Sequence, residues 1–384
     1  SDVCSSDRLA RDWRKRLFDA RADAWIDHPE RLDGFAKQLR TWRFASISLT
    51  TTERVIASAI ARPAASIIDP AALAEGSSMP AAAVDAALDW MQTAARGEKP
   101  FLAVVWFGSP HSPHRAVEED RALYANQPKN LQHFYGEITG MDRAFGKLRD
   151  ALSPLGIREN TILWYCSDNG ALPRVGSTGG HRGNKGKVYE GGLLVPAILE
   201  WPPEISSPRT TNVRCNTYDI YPTLLEIAGV APENQPPLDG ISLLPLIRGK
   251  MKVRTKPMGF WDYPTRGIST PSAKWMGDLL KAQQAGGDLE PDSSSQNAAE
   301  LPNPAYPLDQ FPGHAAWVDG DWKLHRVPAK NGKQVNYQLF NLAKDMAEKK
   351  DIAAVQPERL TRMKTELAAW QKSVLSSLNG GDYR

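Results

Sequence analysis

Apolar residues return at three- and four-residue steps between Ala81 and Arg96, where Val84, Ala87, Leu88, Met91 and Ala95 share one face; the spacing predicts an amphipathic helix. A second helix is predicted over Leu131–Leu155 from Phe134, Ile138, Met141, Phe145, Leu148 and Leu152. Between them runs Phe101–Phe107, a continuous apolar segment that suits a strand covered on both faces. Thr161–Cys166 and Pro196–Glu200 are further strand candidates. Tyr218–Ala228 reads as a helix closed by Gly229 with Pro232 beyond it. Farther on the period shortens to two. Ala315–Val318 and Trp322–Val327 flank the turn Asp319-Gly320-Asp321, and Asn331-Gly332 is a turn signal before Val335–Leu342. Pro357 opens a last helix, Pro357–Leu378.

This order divides the chain. Residues 1–76 form an atypical N-terminal segment with no sustained period, expected to pack poorly around Ile47, Leu49, Val55 and Ile56. Within it Trp13–Ala24 reads as a basic helix, Trp42–Thr50 as a short strand, and Ser1–Asp7 as either a translated adaptor scar or a genuine but unusual N-terminus. Residues 77–255 alternate strand and helix, which predicts an α/β domain with parallel strands and chemistry at their carboxyl ends. Residues 256–312, rich in Gly, Ser and Pro, are expected as a long loop insertion. Residues 313–384 form a small α+β domain, an antiparallel sheet plus a helix.

Composition narrows the classes. Of 384 residues, 47 are basic and 44 acidic, and this near balance argues against a nucleic-acid binder. The apolar run Phe101–Phe107 falls far short of the ~20 residues of a spanning helix, so no membrane span is expected. The charged opening residues lack the apolar core of an export signal. Cys4, Cys166 and Cys215 are too few for a disulfide framework or a four-cysteine zinc site.

Three strand ends carry polar clusters. Ser109-Pro110-His111-Ser112-Pro113-His114 sets two histidines among prolines, suited to anion binding or to general acid work, or else to a plain rigid turn. Ser167-Asp168-Asn169-Gly170 offers two hard oxygen ligands for Ca²⁺ or Mg²⁺, and is equally a set of turn residues. Gly179–Gly192 holds Lys185 between Asn184 and Gly186 as a candidate anion contact, though without P-loop spacing; its bland reading is a basic surface loop.

Taken in order, these clusters resemble the sulfatase family of the alkaline-phosphatase-like superfamily. The resemblance runs from about Met79 to the C-terminus. Its further markers are Tyr189-Glu190-Gly191-Gly192 with Val195-Pro196, Asp219-Ile220-Tyr221-Pro222-Thr223, Leu238-Asp239-Gly240, Gly320-Asp321-Trp322-Lys323-Leu324, and Leu339-Phe340-Asn341-Leu342 with Asp345 and Glu348. The resemblance implies an alkaline-phosphatase-like sheet flanked by helices, truncated, with the small C-terminal domain after it. It implies a sulfuric ester hydrolase acting on a sulfated carbohydrate or aryl sulfate, and an extracytoplasmic home. It assigns His111 and Lys185 to sulfate binding and catalysis, and Asp168 and Asn169 to half of one Ca²⁺ site; His114, His181 and Arg182 become substrate contacts.

The departures from the family pattern carry equal weight. The family's first-strand Asp-Asp and its Cys-x-Pro-Ser-Arg motif, whose cysteine matures to the formylglycine nucleophile, do not occur in the 384 residues. Cys4-Ser5-Ser6-Asp7-Arg8 has Ser6 where the motif has proline, so Cys4 is not read as the nucleophile. Cys166 and Cys215 read as packing cysteines. The chain as given is therefore expected to be inactive, with an incomplete calcium site. Two alternatives stand beside this reading. One is a phosphoesterase of the same superfamily. The other is a non-catalytic binder of sulfated glycans through Lys185, His111, Arg182 and Arg174.

Overall fold

Ser78 accepts a hydrogen bond from the Ala81 amide and so starts helix α1, Met79–Ala95. In this computed structural model the described residues are 43–50, 54–58, 78–97, 100–232, 235–264, 281, 285, 306–329 and 334–383. The side chains of Ile47, Leu49, Val55 and Ile56, the Trp13–Ala24 helix expectation and Cys4 lie outside them. Strand β1 (Arg43–Thr50) pairs antiparallel with β2 (Arg54–Ser58) and parallel with β3 (Phe101–Trp106). After the short helix α2 (Glu118–Ala122) comes the long α3 (Lys129–Ala151). Val84, Leu88 and Met91 of α1 close on Ala144 and Leu148 of α3 and on Leu152 just beyond it, and Phe101 and Leu163 pack against that cluster.

Two helical faces differ from the expectation. On α1 the buried position is Ala94 rather than Ala95. On α3 Ile138 is exposed, while Glu137, Gly140 and Ala144 are buried. The cause is steric: a Cβ on Gly136 would strike Ala116, and one on Gly140 would press on Asp120. These glycines let the 116–121 segment lie directly on the helix, and that approach sets which side of α3 is covered.

Strand β4 (Leu163–Cys166) pairs antiparallel with β5 (Ala197–Glu200), across the short helix α4 (Glu190–Leu193). The parallel pairing expected within residues 77–255 is not found: β3 pairs parallel with β1 of the N-terminal segment, and β4 and β5 form a separate antiparallel pair. Strands β3 and β4 are half-buried, not covered on both faces, and Cys166 is half-buried with them. Cys215 is exposed, which corrects its reading as a packing residue. Helix α5 (Ile220–Ala228) ends at Gly229 in the left-handed conformation, as its sequence foretold. Just before it, Asp219 is fully buried and accepts from the Asn216 and Ile241 amides and from both Arg254 terminal nitrogens. A one-turn helix α6 (Leu244–Ile247) follows.

The C-terminal sheet has four antiparallel strands, β6 (Met258–Asp262), β7 (His314–Asp319), β8 (Trp322–Pro328) and β9 (Val335–Asn341), in that order. Strand β6 falls inside the span 256–312 expected as a loop, and its pairing with β7 moves that boundary. Gly259 explains why β6 fits: a Cβ there would run into the Trp370 ring. Helix α7 (Pro357–Leu378) covers one face of the sheet with Met363, Leu367 and Leu375, against Trp261, Ala315, Trp317, Leu324 and Leu339. The other face, with Met258, Phe260, Ala316 and Val318, packs on Val188, Leu193 and Tyr218 of the first domain. Among the described residues no helix is long and apolar enough to cross a membrane.

Candidate functional site

Strand β4 ends at Cys166 and delivers the turn Ser167–Gly170. Ser167 donates to the Asn169 carbonyl at 3.2 Å, and Asn169 Nδ2 donates to Asp168 Oδ2. Asp168 is exposed and Asn169 half-buried, so the turn holds a carboxylate and an amide oxygen at the surface. Gly170 fixes its depth. The Gly170 amide donates to the Gly192 carbonyl at 3.0 Å, and a Cβ on Gly170 would run into the Gly191 carbonyl oxygen. Only glycine permits this contact between the turn and helix α4.

The Lys185 loop is tied to the same place. The Lys185 amide donates to the Ala171 carbonyl at 3.0 Å, and the Gly191 amide to the Arg182 carbonyl at 2.7 Å. Two of the three predicted clusters are therefore joined through the main chain, and the Lys185 side chain is half-buried beside them. Among the described residues no acceptor takes a hydrogen bond from its ammonium group.

The histidine turn after β3 is held by other contacts. His111 Nδ1 donates to the Ser112 carbonyl at 2.8 Å, which leaves Nε2 as the ring atom able to meet a ligand. His114 stacks edge-on against Phe134 at 5.1 Å and hydrogen-bonds the Pro110 backbone. Its Nε2 is buried without a partner among the described residues, and burial holds its pKa below the ordinary value. The Arg115 amide next to it donates to Glu137 Oε1 at 2.5 Å. Glu137 Oε2 is buried with no described partner, and burial pushes this carboxyl up to about 7.

His181 and Arg182 lean on the C-terminal domain. His181 Nδ1 donates to the Met346 carbonyl at 3.3 Å and Arg182 Nη1 to the Glu348 carbonyl at 3.3 Å. The Arg182 guanidinium lies 3.9 Å from the centre of the Tyr189 ring. Glu190, Lys323 and Glu348 stand in the sequence as family markers without a role, and His314, His325 and Arg214 were not singled out at all. Lys323 is fully buried and bonds Glu190 Oε1 at 2.7 Å and Glu348 Oε1 at 3.1 Å. His325 Nε2 donates to Glu348 Oε1 at 2.6 Å, and its Nδ1 lies 3.0 Å from His314 Nε2. Burial, before the nearby cations, holds His325 well below its ordinary pKa; burial and His325 push His314 down to about 3. Arg214 adds a second cation on Glu190 at 3.4 Å. The signal was present in the alternation of Trp322-Lys323-Leu324-His325. It places Lys323 and His325 on one face of β8, opposite Val318 and Ala316, which is the face against the first domain.

The family model described as Sulfatase matches residues 22–230, more than half of the chain and including all seven predicted site residues. The match also reaches well before Met79. The chain is 30% identical over 237 residues to human arylsulfatase A, covering 59% of this chain and 45% of that protein. It is 34% identical over 161 residues to steryl-sulfatase of Mus musculus, covering 39% of this chain and 25% of that one. It spans less than half the length of these relatives. Among solved structures, Ps i-CgsB in complex with k-i-k-neocarrahexaose superposes with a TM-score of 0.61 at 23% identity, over 82% of this chain and 58% of that one, which is a likeness of fold.

Proposed function

The chain belongs to the sulfatase family, and on that premise we propose that its site recognises the sulfate ester of a sugar or aryl alcohol. The observation that supports this most is the pair of main-chain bonds, Lys185 to Ala171 and Gly170 to Gly192, which tie the backbone of the Lys185 loop to that of the Asp168–Asn169 turn. A sulfate ester is a tetrahedral monoanion, and its reaction spreads negative charge over the oxygens and the leaving group. Lys185 answers that charge directly. In this reading His111 Nε2 faces the same anion, since Nδ1 is already committed to Ser112. His181, Arg182 and His114 surround the sugar or aryl portion in this reading.

Members of the family generally bind a divalent metal, which supplies positive charge against the sulfate. Asp168 and Asn169 suit a hard cation by their oxygen donors. Among the described residues no group of three or more acids, histidines or cysteines is arranged so that it could hold a metal ion, and these two side chains are the donors assigned to it here. In this reading calcium is the metal and is held weakly.

Covalent catalysis splits a hard hydrolysis into two easier steps, and the 384 residues contain no Cys-x-Pro-Ser-Arg segment to supply the nucleophile. We therefore expect binding without turnover. Purified protein should bind 4-nitrophenyl sulfate, weaken by roughly tenfold on Lys185→Ala, and release no nitrophenol. Vigorous turnover lost on Cys4→Ser would overturn the expected inactivity and make Cys4-Ser5-Ser6-Asp7-Arg8 a working motif. Unchanged binding in Lys185→Ala would remove Lys185 from the site.

A further inference from the structure

We infer that Lys323, Glu190 and Glu348 are positioning residues, which hold the Asp168–Asn169 turn and the Lys185 loop in register from the C-terminal sheet. The inference rests on the sulfate-ester reading for what the loops bind, and on geometry alone for how they are held. Lys323 sits on β8 with no exposed surface, and both carboxylates it meets are buried. Burying an ammonium and two carboxylates is costly, and apolar side chains of like volume commonly stabilise a core as well or better. Packing alone therefore gives no reason for these charges in this core.

The bonds lead to the site. Glu348 Oε2 accepts from the Glu190 amide at 2.6 Å, at the first residue of α4. Two residues on, the Gly192 carbonyl pins Gly170 and with it the Asp168–Asn169 turn. The Gly191 amide holds the Arg182 carbonyl, and the Arg182 side chain returns to the Glu348 carbonyl. Lys323 thus fixes Glu190, Glu190 fixes α4, and α4 fixes both loops. Two buried carboxylates thus face two basic side chains, Lys323 and Arg214, within 3.4 Å. The backbone supplies an independent sign. Glu348 has φ 53°, the left-handed region that favours glycine, and the strain is accepted at the residue whose carboxylate and carbonyl both serve the loop. Outer-shell partners of metal ligands commonly change affinity or activity by roughly 10–100-fold when removed, which sets the scale for contacts one step behind a binding loop.

The test reads the loops and the ligand separately. Hydrogen exchange is followed at the amides of Gly170, Lys185, Gly191 and Gly192, with the Met363 and Leu375 amides of α7 as the internal reference. In Lys323→Met the four loop amides should exchange roughly tenfold faster relative to the reference. Affinity for 4-nitrophenyl sulfate should fall by a similar factor. Glu348→Gln keeps the volume and carries the same readouts should Lys323→Met fail to fold. Loop amides that keep their wild-type exchange relative to α7, with unchanged probe affinity, would overturn the inference. Released amides in a protein whose wild type binds no aryl sulfate would uphold the positioning role and sink the sulfate-ester reading instead.

Discussion

Glu137 shows how one buried carboxyl connects pH to the histidine turn. Its folded pKa is raised to about 7, chiefly by burial and against the opposing bond from the Arg115 amide. A raised carboxyl pKa means that the neutral form suits the fold. The penalty is absent below the unfolded value of 4.5 and accumulates as pH rises to about 7. At most it reaches about 3 kcal/mol, from ~1.4 kcal/mol per pKa unit. Glu137→Gln keeps an acceptor for Arg115 without the charge. It should raise the melting temperature over wild type at pH 8 and leave it nearly unchanged at pH 4.5, as thermal unfolding at the two pH values will read. Equal effects at both would show that the charge is not the cause. Glu137 itself was illegible in the sequence. An acid among Phe134, Ile138 and Met141 reads as the polar side of the helix, and the small neighbours Gly136 and Gly140 rotate it inward. The strand ends and glycines that drew attention to His111, Asp168 and Lys185 could be read from the chain, but no pattern in it showed that Lys185 bonds back to Ala171.

At the scale of elements, long periodic segments were read well and coverage was read poorly. Helix α7 matches its expectation at both ends, with Pro357 opening it, and Met363, Leu367 and Leu375 lie four and eight residues apart on its buried face. Strand β6 was missed, since Met258–Asp262 lies alone before a Gly- and Ser-rich stretch and its partner β7 is some fifty residues away. Pairing at that distance leaves no local trace. The antiparallel pairing of β4 with β5 was missed for a related reason: a short helix in the connection suggests a parallel crossover. Within α7, Gln371 occupies the next step of the apolar stripe and is buried, with neither amide atom hydrogen-bonded among the described residues. An unsatisfied buried amide costs ~1–3 kcal/mol. Gln371→Met, close in volume, should therefore stabilise the protein by about 1 kcal/mol in urea unfolding at unchanged m-value. A destabilised variant would show that the amide is satisfied by bound water.

For the whole molecule, Glu348 of the C-terminal part braces the loop that carries Lys185, while the metal donors proposed here stay on the other side of that contact. Asp168 and Asn169 come from a single turn and offer two side-chain donors, whereas Ca²⁺ takes about six to eight oxygens. Calorimetry should find no submicromolar calcium site. Tight binding abolished by Asp168→Ala would mean that another carboxylate, such as Asp23 or Asp27, completes the shell. The burial of Lys323 also has a practical side. Acylating reagents modify amines that solvent can reach, and this amine has no exposed surface while Lys344, Lys349 and Lys350 lie on the outside of the same domain. Under brief treatment of the native protein with an N-hydroxysuccinimide ester, the peptide bearing Lys323 should stay unlabelled when those others react. Its labelling in a stored or heated sample would then count the molecules whose C-terminal sheet has opened, a mass-spectrometric gauge of integrity that needs no substrate.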